Sequence, residues 1–280
     1  MENHAVAEDL TGKIAAITGA GSGIGRATAL LLARHGAKIH VADVNGESAE
    51  AVAGEIEAAG GSAVAHTLDV SESAAVDAFA EAVFAADGRV DILHNNAGIG
   101  HAGNIEATMV EDWQRVINVN LLGVAYGMQA FAPRMLEQGS PASIINTASM
   151  LGIIPGAKIA PYCASKYGVV GLSESLNAEL APRGIRVSAI CPGIINTPIV
   201  AAATMRGETA ALQGKAVSYY AKRGASPDEV AEAVLQTIKR PRLIVPVPRR
   251  QVSVPYFLHR LSPRLLQPIA RNMERLLSRG

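Results

Sequence analysis

Short apolar runs alternate along this chain with longer segments whose apolar residues recur every three or four positions. The short runs predict buried strands and the longer segments predict helices, so the pattern is that of an α/β protein whose parallel sheet is covered on both faces. The strands are expected near residues 13–18, 38–42, 62–67, 90–94, 142–148, 185–190 and 242–246. The helices are expected near residues 23–35, 47–59, 72–86, 111–137, 161–182 and 227–239.

The chain divides into one long part and one short part. At 280 residues it has room for a single domain of this kind, expected over residues 1–250, and residues 251–280 form an extension. Residues 194–225 are expected to be the longest irregular connection. Long loops in compact domains often cover a site, so this segment is a candidate lid.

The extension differs from the rest of the chain in charge. Residues 239–280 contain ten Lys or Arg and one acid, and apolar residues recur there at helical spacing. Such a stripe usually packs on its own domain or on a second subunit, although a basic amphipathic helix also suits an anionic membrane surface. Nucleic-acid binding is disfavoured because no recognition motif accompanies the charge. The apolar positions are Leu258, Leu261, Leu265, Ile269, Met273 and Leu276.

Composition narrows the class of protein. Two cysteines cannot form a disulfide framework, and the first ten residues are polar and acidic, unlike a signal peptide. No apolar run approaches the ~20 residues of a membrane span, so a cytoplasmic protein is expected. The seven histidines do not occur at metal-ligand spacing, so no metal site is expected. His101 either lines a pocket or faces solvent.

A glycine-rich turn follows the first predicted strand. Residues 18–25 are Thr-Gly-Ala-Gly-Ser-Gly-Ile-Gly, and a helix is predicted to follow directly. Glycine permits a tight turn and lets backbone N–H groups approach a pyrophosphate, while the positive end of the helix faces the phosphates. A strand, a glycine turn and a helix in this order predict a dinucleotide-binding loop. The residues concerned are Gly19, Gly21, Ser22, Gly23, Ile24 and Gly25.

An acidic residue ends the second predicted strand. Asp43 stands twenty residues after Gly23, an offset at which a carboxylate accepts hydrogen bonds from the adenine ribose hydroxyls and repels a 2′-phosphate. Ser22 occupies a loop position where a basic residue would meet that phosphate, and no Lys or Arg follows Asp43 closely. These residues favour NAD over NADP.

A tyrosine and a lysine stand four residues apart in Tyr162-Cys-Ala-Ser-Lys166, and Ser149 precedes them by thirteen residues. On a helix, residues i and i+4 share a face, so the Lys166 ammonium is expected beneath the Tyr162 ring. A phenol titrates near pH ~10, and a nearby positive charge lowers its pKa towards the working range. The three side chains predict a proton-transfer site in which Ser149 binds a substrate oxygen.

These motifs together resemble the classical short-chain dehydrogenase/reductase family. The resemblance covers residues 13 to about 245, nearly the whole chain, and implies a single Rossmann-type doubly wound sheet. The matching motifs, in order, are Thr18-Gly-x-x-x-Gly-Ile-Gly25, Asp69-Val70, Asn95-Asn96-Ala97-Gly98, Asn120, Ser149, Tyr162-x-x-x-Lys166 and Pro192-Gly193 with Thr197.

The resemblance also implies roles for individual residues. Asn120 is implied to anchor a water of the proton relay, although its amide alternatively bonds only to backbone groups. The other implied contacts are to the adenine from Asp69 and Val70, to the cofactor from Asn96, Ala97 and Gly98, and to the nicotinamide end from Pro192, Gly193, Ile195 and Thr197, in addition to Tyr162 and Lys166.

The expected function is that of an NAD-dependent oxidoreductase that interconverts a hydrophobic secondary alcohol and its ketone. Tyr162 is the expected acid/base, Lys166 lowers its pKa and holds the nicotinamide ribose, and Ser149 positions the substrate oxygen. One alternative is an NADP-linked reductase of 3-oxoacyl thioesters, and another is a catalytically silent NAD-binding regulator. The expected partners are a small-molecule substrate and further copies of the chain, in a homodimer or homotetramer.

Overall fold

The computed structural model describes residues 10–268 of the chain. Three of the apolar positions of the extension, Ile269, Met273 and Leu276, lie outside the described residues, so the structure tests only the first part of the predicted stripe. None of the helices within residues 10–268 combines the length and apolar character that crossing a membrane requires.

Seven parallel strands form one sheet, and all seven predicted strands are present with bounds within two residues of those expected. The main-sheet strands are β1 Ile14–Thr18, β2 Lys38–Asp43, β3 Ser62–Thr67, β4 Ile92–Asn95, β6 Ala142–Thr147, β7 Ile185–Pro192 and β9 Ile244–Val247, and the two short strands β5 His101–Ala102 and β8 Thr204–Met205 pair with each other. The main sheet has the order β3-β2-β1-β4-β6-β7-β9. The strand order reverses at β1, because successive strands are added on one side of it as β2 and β3 and on the other side from β4 onwards, and such a switch point leaves a crevice at the carboxyl ends of the strands.

Helices cover both faces of the sheet because its central strands are apolar on both sides. In β1, Ile14 and Ala16 join the core on one face, while Ala15 and Ile17 join the core on the other. Helices α3, α5 and α6 supply the first core, and α1, α2 and α8 supply the second. The helices are α1 Gly23–Arg34, α2 Gly46–Ala58, α3 Ser73–Asp87, α4 Val110–Ile117, α5 Gly123–Glu137, α6 Ala160–Leu180, α7 Gln213–Arg223, α8 Pro227–Lys239 and α9 Arg249–Leu261.

The long helix predicted over residues 111–137 is interrupted. A π-helical turn, Asn118–Leu122, separates α4 from α5, and the N–H of Gly123 donates to the carbonyl of Asn118. Apolar periodicity cannot reveal this turn because it adds a single residue to an otherwise continuous helix. Turns of this kind occur frequently at functional sites.

The prediction of an irregular loop over residues 194–225 is wrong from residue 204 onwards. That part contains β8, a 3₁₀ segment Gly207–Leu212 and α7. Arg206 fastens the segment to α4, because its guanidinium donates two hydrogen bonds of 3.0 Å to the carboxylate of Asp112. Helix α7 escaped prediction because Ala216 is its one fully buried residue among 11, so it lacks an apolar stripe.

The extension begins as a helix packed on the domain. Val252 of α9 is fully buried in the core of the first face, and Gln251 accepts a 3.0 Å hydrogen bond from the N–H of Ile194. The predicted apolar stripe does not all face inward, however, since Leu261 and Leu265 are more than half exposed. The chain bends after α9 into a 3₁₀ turn, Pro263–Leu265, which breaks the single helical period that the stripe assumed.

Candidate active site

The glycine turn between β1 and α1 is shaped for a phosphate. Gly19 and Gly23 have φ angles of 62° and 52°, a conformation that favours glycine. A Cβ atom at Gly25 would overlap the carbonyl oxygen of Gly19, so this position admits no side chain without displacing the turn. Ser22 lies at the N-terminus of α1, whose positive end suits an anion. The turn therefore fits a dinucleotide pyrophosphate.

Asp43 lies at the carboxyl end of β2, beside the glycine turn. One of its carboxylate oxygens accepts a 2.9 Å hydrogen bond from the N–H of Gly21, and the other accepts a 3.0 Å bond from the N–H of Asn45. Asp43 does not cap α2, because the N-cap of that helix is Asn45, whose side chain accepts from the N–H of Ser48. These bonds fix the Asp43 carboxylate at the wall of the cavity described below.

Hydrogen bonds of Asn96 hold the glycine turn against the end of β4, and we call this set of bonds the clasp. Its amide nitrogen donates 3.1 Å hydrogen bonds to the carbonyls of Thr18 and Gly19, and its amide oxygen accepts from the hydroxyl of Thr147 at 3.2 Å. The hydroxyl of Thr18 in turn accepts from the N–H groups of Asn96 and Ala97. Thr147 belongs to no motif of the sequence, and the one signal for it is its position as the last residue of a buried strand.

A buried histidine supports this clasp. The hydroxyl of Thr147 donates to Asn96, so at 2.9 Å the Nε2 of His94 must donate to Thr147, and His94 is neutral with an unprotonated Nδ1. His94 is fully buried, and burial lowers its pKa from 6.5 to about 3. No motif or spacing in the sequence marks His94.

The stability of the protein is expected to fall in acid because of His94. Between pH 6.5 and 3 the unfolded chain binds a proton at this histidine that the folded chain excludes, so the free energy of unfolding decreases as the pH falls. Between pH 7.5 and 4.5, the free energy of unfolding of His94→Gln should decrease by about 2 kcal/mol less than that of the wild type. Urea unfolding at the two pH values measures this difference. His35→Gln, at the half-buried C-terminal end of α1, is the control and should follow the wild type. An identical loss in the wild type and His94→Gln would contradict the assignment.

Tyr162, Lys166 and Ser149 come together at the carboxyl end of β6. The Lys166 Nζ lies 5.8 Å from the centre of the Tyr162 ring, as the spacing on α6 predicts, and donates a 2.8 Å hydrogen bond to the carbonyl of Thr147. Ser149 is hydrogen-bonded to Tyr162, and its hydroxyl also accepts from the N–H of Leu151 at 3.1 Å. The predicted trio is therefore assembled around one point.

The acidity expected of Tyr162 is not supplied by the chain alone. Burial raises the pKa of Tyr162 above its usual value, and the hydrogen bond with Ser149 offsets only part of that rise. Burial also lowers the pKa of Lys166 from 10.5 to about 8. Desolvation disfavours both charged forms, and among the protein's own groups it outweighs the lysine–tyrosine attraction on which the sequence prediction relied.

Asn120 lies in the π-helical turn and is fully buried. Its amide oxygen accepts from the N–H of Ile99 at 2.8 Å, and its amide nitrogen donates to the carbonyl of Ile99 at 3.0 Å. A longer bond of 3.3 Å reaches the hydroxyl of Ser165, which donates to the carbonyl of Tyr162. The side chain thus links the loop after β4, through Ile99, to α6, through Ser165. Its bonds to the backbone of Ile99 correspond to the alternative of backbone bonding that the sequence left open.

One cavity of about 730 Å³ unites the predicted residues. Its wall includes all of them except Gly21, Gly25 and Asn120. These three residues support the wall from behind: Gly21 donates a hydrogen bond to Asp43, Gly25 packs against Gly19, and Asn120 accepts a hydrogen bond from Ile99. The predicted residues on the wall are Gly19, Ser22, Gly23, Ile24, Asp43, Asp69, Val70, Asn96, Ala97, Gly98, Ser149, Tyr162, Lys166, Pro192, Gly193, Ile195 and Thr197. The nucleotide cradle and the proton-transfer groups thus share one space.

Residues that the sequence did not single out complete the wall. Helix α7 contributes Tyr219 and Tyr220. Pro255 and Leu266 come from the extension. His101 also lines the cavity and is only 2% exposed, so the pocket interpretation of this histidine holds and the solvent-facing one is wrong.

Comparison with known proteins points to one family. The family model of the short chain dehydrogenases matches residues 13–206. A probable oxidoreductase, EphD, of Mycobacterium tuberculosis is 40% identical over 264 residues that cover 92% of this chain. The chain spans only 44% of the length of that relative. The cyclohexanol dehydrogenase of an Acinetobacter strain is 44% identical over 190 residues, which cover 68% of this chain and 75% of the relative.

Solved structures agree with this result. A short chain dehydrogenase/reductase of Burkholderia phymatum in complex with NAD has a TM-score of 0.84 and 33% identity, and the match covers 90% of this chain and 94% of that one. A metagenomic short-chain oxidoreductase in complex with NADP has a TM-score of 0.70 and 35% identity, over 85% of this chain and 96% of that one. These two related structures thus contain nicotinamide dinucleotides of both kinds, NAD in the first and NADP in the second.

Proposed function

The chain belongs to the short-chain dehydrogenase family, and on that premise we propose that it interconverts a hydrophobic secondary alcohol and its ketone with NAD. It is a nicotinamide-dependent oxidoreductase that acts on CH–OH groups. The finer proposal rests above all on one observation: Ser149, Tyr162 and Lys166 line the same cavity as the glycine turn and Asp43. A dinucleotide in the cradle and a substrate oxygen at the trio can therefore meet.

Side chains of the protein bind the substrate hydroxyl and transfer its proton. Ser149 and Tyr162, already hydrogen-bonded to each other, bind the substrate oxygen, and Tyr162 accepts its proton in alcohol oxidation or donates one in ketone reduction. The nicotinamide, when bound, supplies the hydride acceptor or donor. The Lys166 ammonium, 5.8 Å from the centre of the Tyr162 ring, favours the phenolate and so opposes the burial that raises the pKa of Tyr162. Lys166 would also hold the nicotinamide ribose of a bound cofactor, and the positive charge of an oxidised nicotinamide would favour the phenolate further.

The lining of the cavity favours an apolar substrate. Away from the nucleotide cradle the wall is mostly aliphatic and aromatic. Among the described residues, two cations besides Lys166 line the cavity: Lys158 is ion-paired with Glu208, and Arg115 is exposed to solvent on α4. A charged group placed against the apolar part of the wall would lose its hydration without gaining a partner of opposite charge. The side chains that set this character include Leu151, Ile154, Val200, Met205, Leu212 and Tyr220.

A preference for NAD over NADP is proposed from Asp43. Its carboxylate is held at the cavity wall and would repel a 2′-phosphate, so Asp43→Ala should raise the NADP to NAD ratio of kcat/KM by about tenfold or more. Glu47→Ala removes an exposed acid four residues along the chain and should leave the ratio unchanged. A wild type that already prefers NADP would overturn this proposal.

The proposed reaction is tested by incubating the purified protein with NAD and secondary alcohols, sterols and long-chain alcohols while following the absorbance of the reduced cofactor. Turnover of an apolar secondary alcohol is the expected result. Tight NAD binding without turnover of any alcohol or ketone would favour the silent regulator instead.

Members of the family are commonly oligomeric, and we include a homodimer or homotetramer in the proposal. The comparisons lend no support to the membrane contact suggested by the basic extension.

A further inference from the structure

The last part of the described chain returns to the cavity. Strand β9 leads directly into α9, and the first turn of this helix is fastened to the nicotinamide end of the site. Gln251 accepts the hydrogen bond from Ile194, and its side chain also fills the space beside Gly193, where a Cβ would come within 2.6 Å of it. Buried Val252 completes the anchor. The start of α9 therefore has a fixed place in the fold.

The anchor locates the rest of the segment relative to the reaction centre. Pro255 lies four residues after Gln251, on the same face of α9, and lines the cavity. Because Gln251 is bonded to Ile194, next to Ile195 in the proposed nicotinamide contact, Pro255 faces the reaction end of the cavity and not the adenine end. After the 3₁₀ turn, Leu266 also lines the cavity and is only 2% exposed.

Neighbouring residues of the segment point the other way. Leu265 is 52% exposed, whereas Leu266 beside it is buried. On α9, Val254 is 64% exposed, whereas Pro255 reaches the cavity. The segment thus has a cavity side and a solvent side, as a wall does.

We propose that residues 249–266 form the outer wall of the substrate end of the cavity, and that Leu266 limits the size of the apolar group that the site accepts. This proposal rests on the proposed function, because it assigns the substrate's apolar part to that wall. The first part of the segment is also matched in a relative, because a similarity that covers 92% of this chain, as for EphD, must run past residue 250. The match to the cyclohexanol dehydrogenase covers 68% of the chain.

The test compares Leu266→Ala and Leu266→Trp with the same changes at Leu265. The substrates are secondary alcohols of increasing chain length, and the readout is kcat/KM for each. Leu266→Ala should shift the preference towards the longer alcohols by about tenfold and Leu266→Trp towards the shorter ones, because a methylene in an apolar pocket changes discrimination by at least about that factor. The Leu265 variants should stay within about twofold of wild type. Point variants are used because removing α9 would also remove buried Val252 from the core.

Binding measurements separate this proposal from the proposed reaction. The fluorescence of NADH on the protein reports its dissociation constant, which should be the same in all four variants, and titration of the complex with the same alcohols reports their affinity. Suppose that the wild type turns over no alcohol but the Leu266 variants change the size of the alcohol that binds. The proposed reaction is then contradicted, whereas the proposal that residues 249–266 form the wall is supported. If Leu266 and Leu265 variants have the same size profile, the wall is overturned. A wild type that neither binds nor oxidises any alcohol overturns both.

Discussion

Replacing Tyr162 with phenylalanine is expected to lower kcat by about 10²–10⁴-fold, the usual contribution of a general acid/base group. The substitution removes one oxygen, and the ring remains to fill the same space on α6. The phenol oxygen is paired with Ser149, beyond the end of β6, whereas the glycine turn lies between β1 and α1, so the affinity for NADH should change little. Single-turnover and steady-state rates with the best alcohol substrate, together with the dissociation constant of NADH, measure both effects.

Tyr167→Phe provides the matched control for this prediction. Tyr167 lies on the same helix, is 38% exposed and is not part of the cavity wall, so the loss of its hydroxyl should leave kcat near the wild-type value. Retention of at least half of the wild-type rate in Tyr162→Phe would contradict the acid/base assignment.

Replacing Gly25 with alanine is expected to weaken cofactor binding by about 10- to 100-fold. The new Cβ would overlap the carbonyl of Gly19 and come within 2.6 Å of the Asn96 amide nitrogen, so the turn and its clasp must move. Overpacking of this kind costs about 1–3 kcal/mol, and each 1.4 kcal/mol corresponds to tenfold in affinity. NADH fluorescence titration measures the loss, and circular dichroism checks that the variant is folded.

Gly54→Ala is the control for the glycine turn. Gly54 lies on the exposed side of α2 with nothing near its missing side chain, so alanine should leave NADH binding intact and stabilise the helix by about 0.5–1 kcal/mol. A folded Gly25→Ala variant that binds NADH as tightly as the wild type would show that the turn tolerates a side chain.

The sheet could be predicted from the sequence because each of its strands is a short apolar run buried by helices on both faces. In β1 all five residues are buried, so the pattern is unambiguous. Elements with little apolar surface could not be predicted in this way. Strands β5 and β8 have two residues each, and α7 buries Ala216 alone. Their apolar residues are therefore too few to distinguish these strands and this helix from an irregular loop.

The candidate site could be predicted as far as it consists of residue types in a characteristic order. The glycine turn, Asp43, Ser149, Tyr162 and Lys166 all lie on one cavity, as expected. What the order of residues cannot convey is the supporting layer behind them. The clasp through Thr147 and His94 depends on which side chains face each other across neighbouring strands, and those contacts arise only from the register of β4 against β6.

Burial was the physical quantity that the sequence conveyed least well. The spacing of Tyr162 and Lys166 correctly predicted their proximity, but it contains no information on how far each is removed from water. Desolvation reverses the expected direction of the Tyr162 pKa in the protein alone. Similarly, the spacing of leucines in the extension predicted one continuous inward face, whereas the turn after α9 turns Leu266 inward and Leu265 outward.

Thr147 belongs to two hydrogen-bond systems at once. Its hydroxyl joins the clasp that holds the glycine turn, and its carbonyl accepts the hydrogen bond from Lys166 at the reaction centre. The nucleotide side and the proton-transfer side of the cavity are therefore fastened to the same residue of β6. Neither side can open locally without straining a bond of the other, so the floor of the cavity should exchange its amide hydrogens with solvent as one cooperative unit.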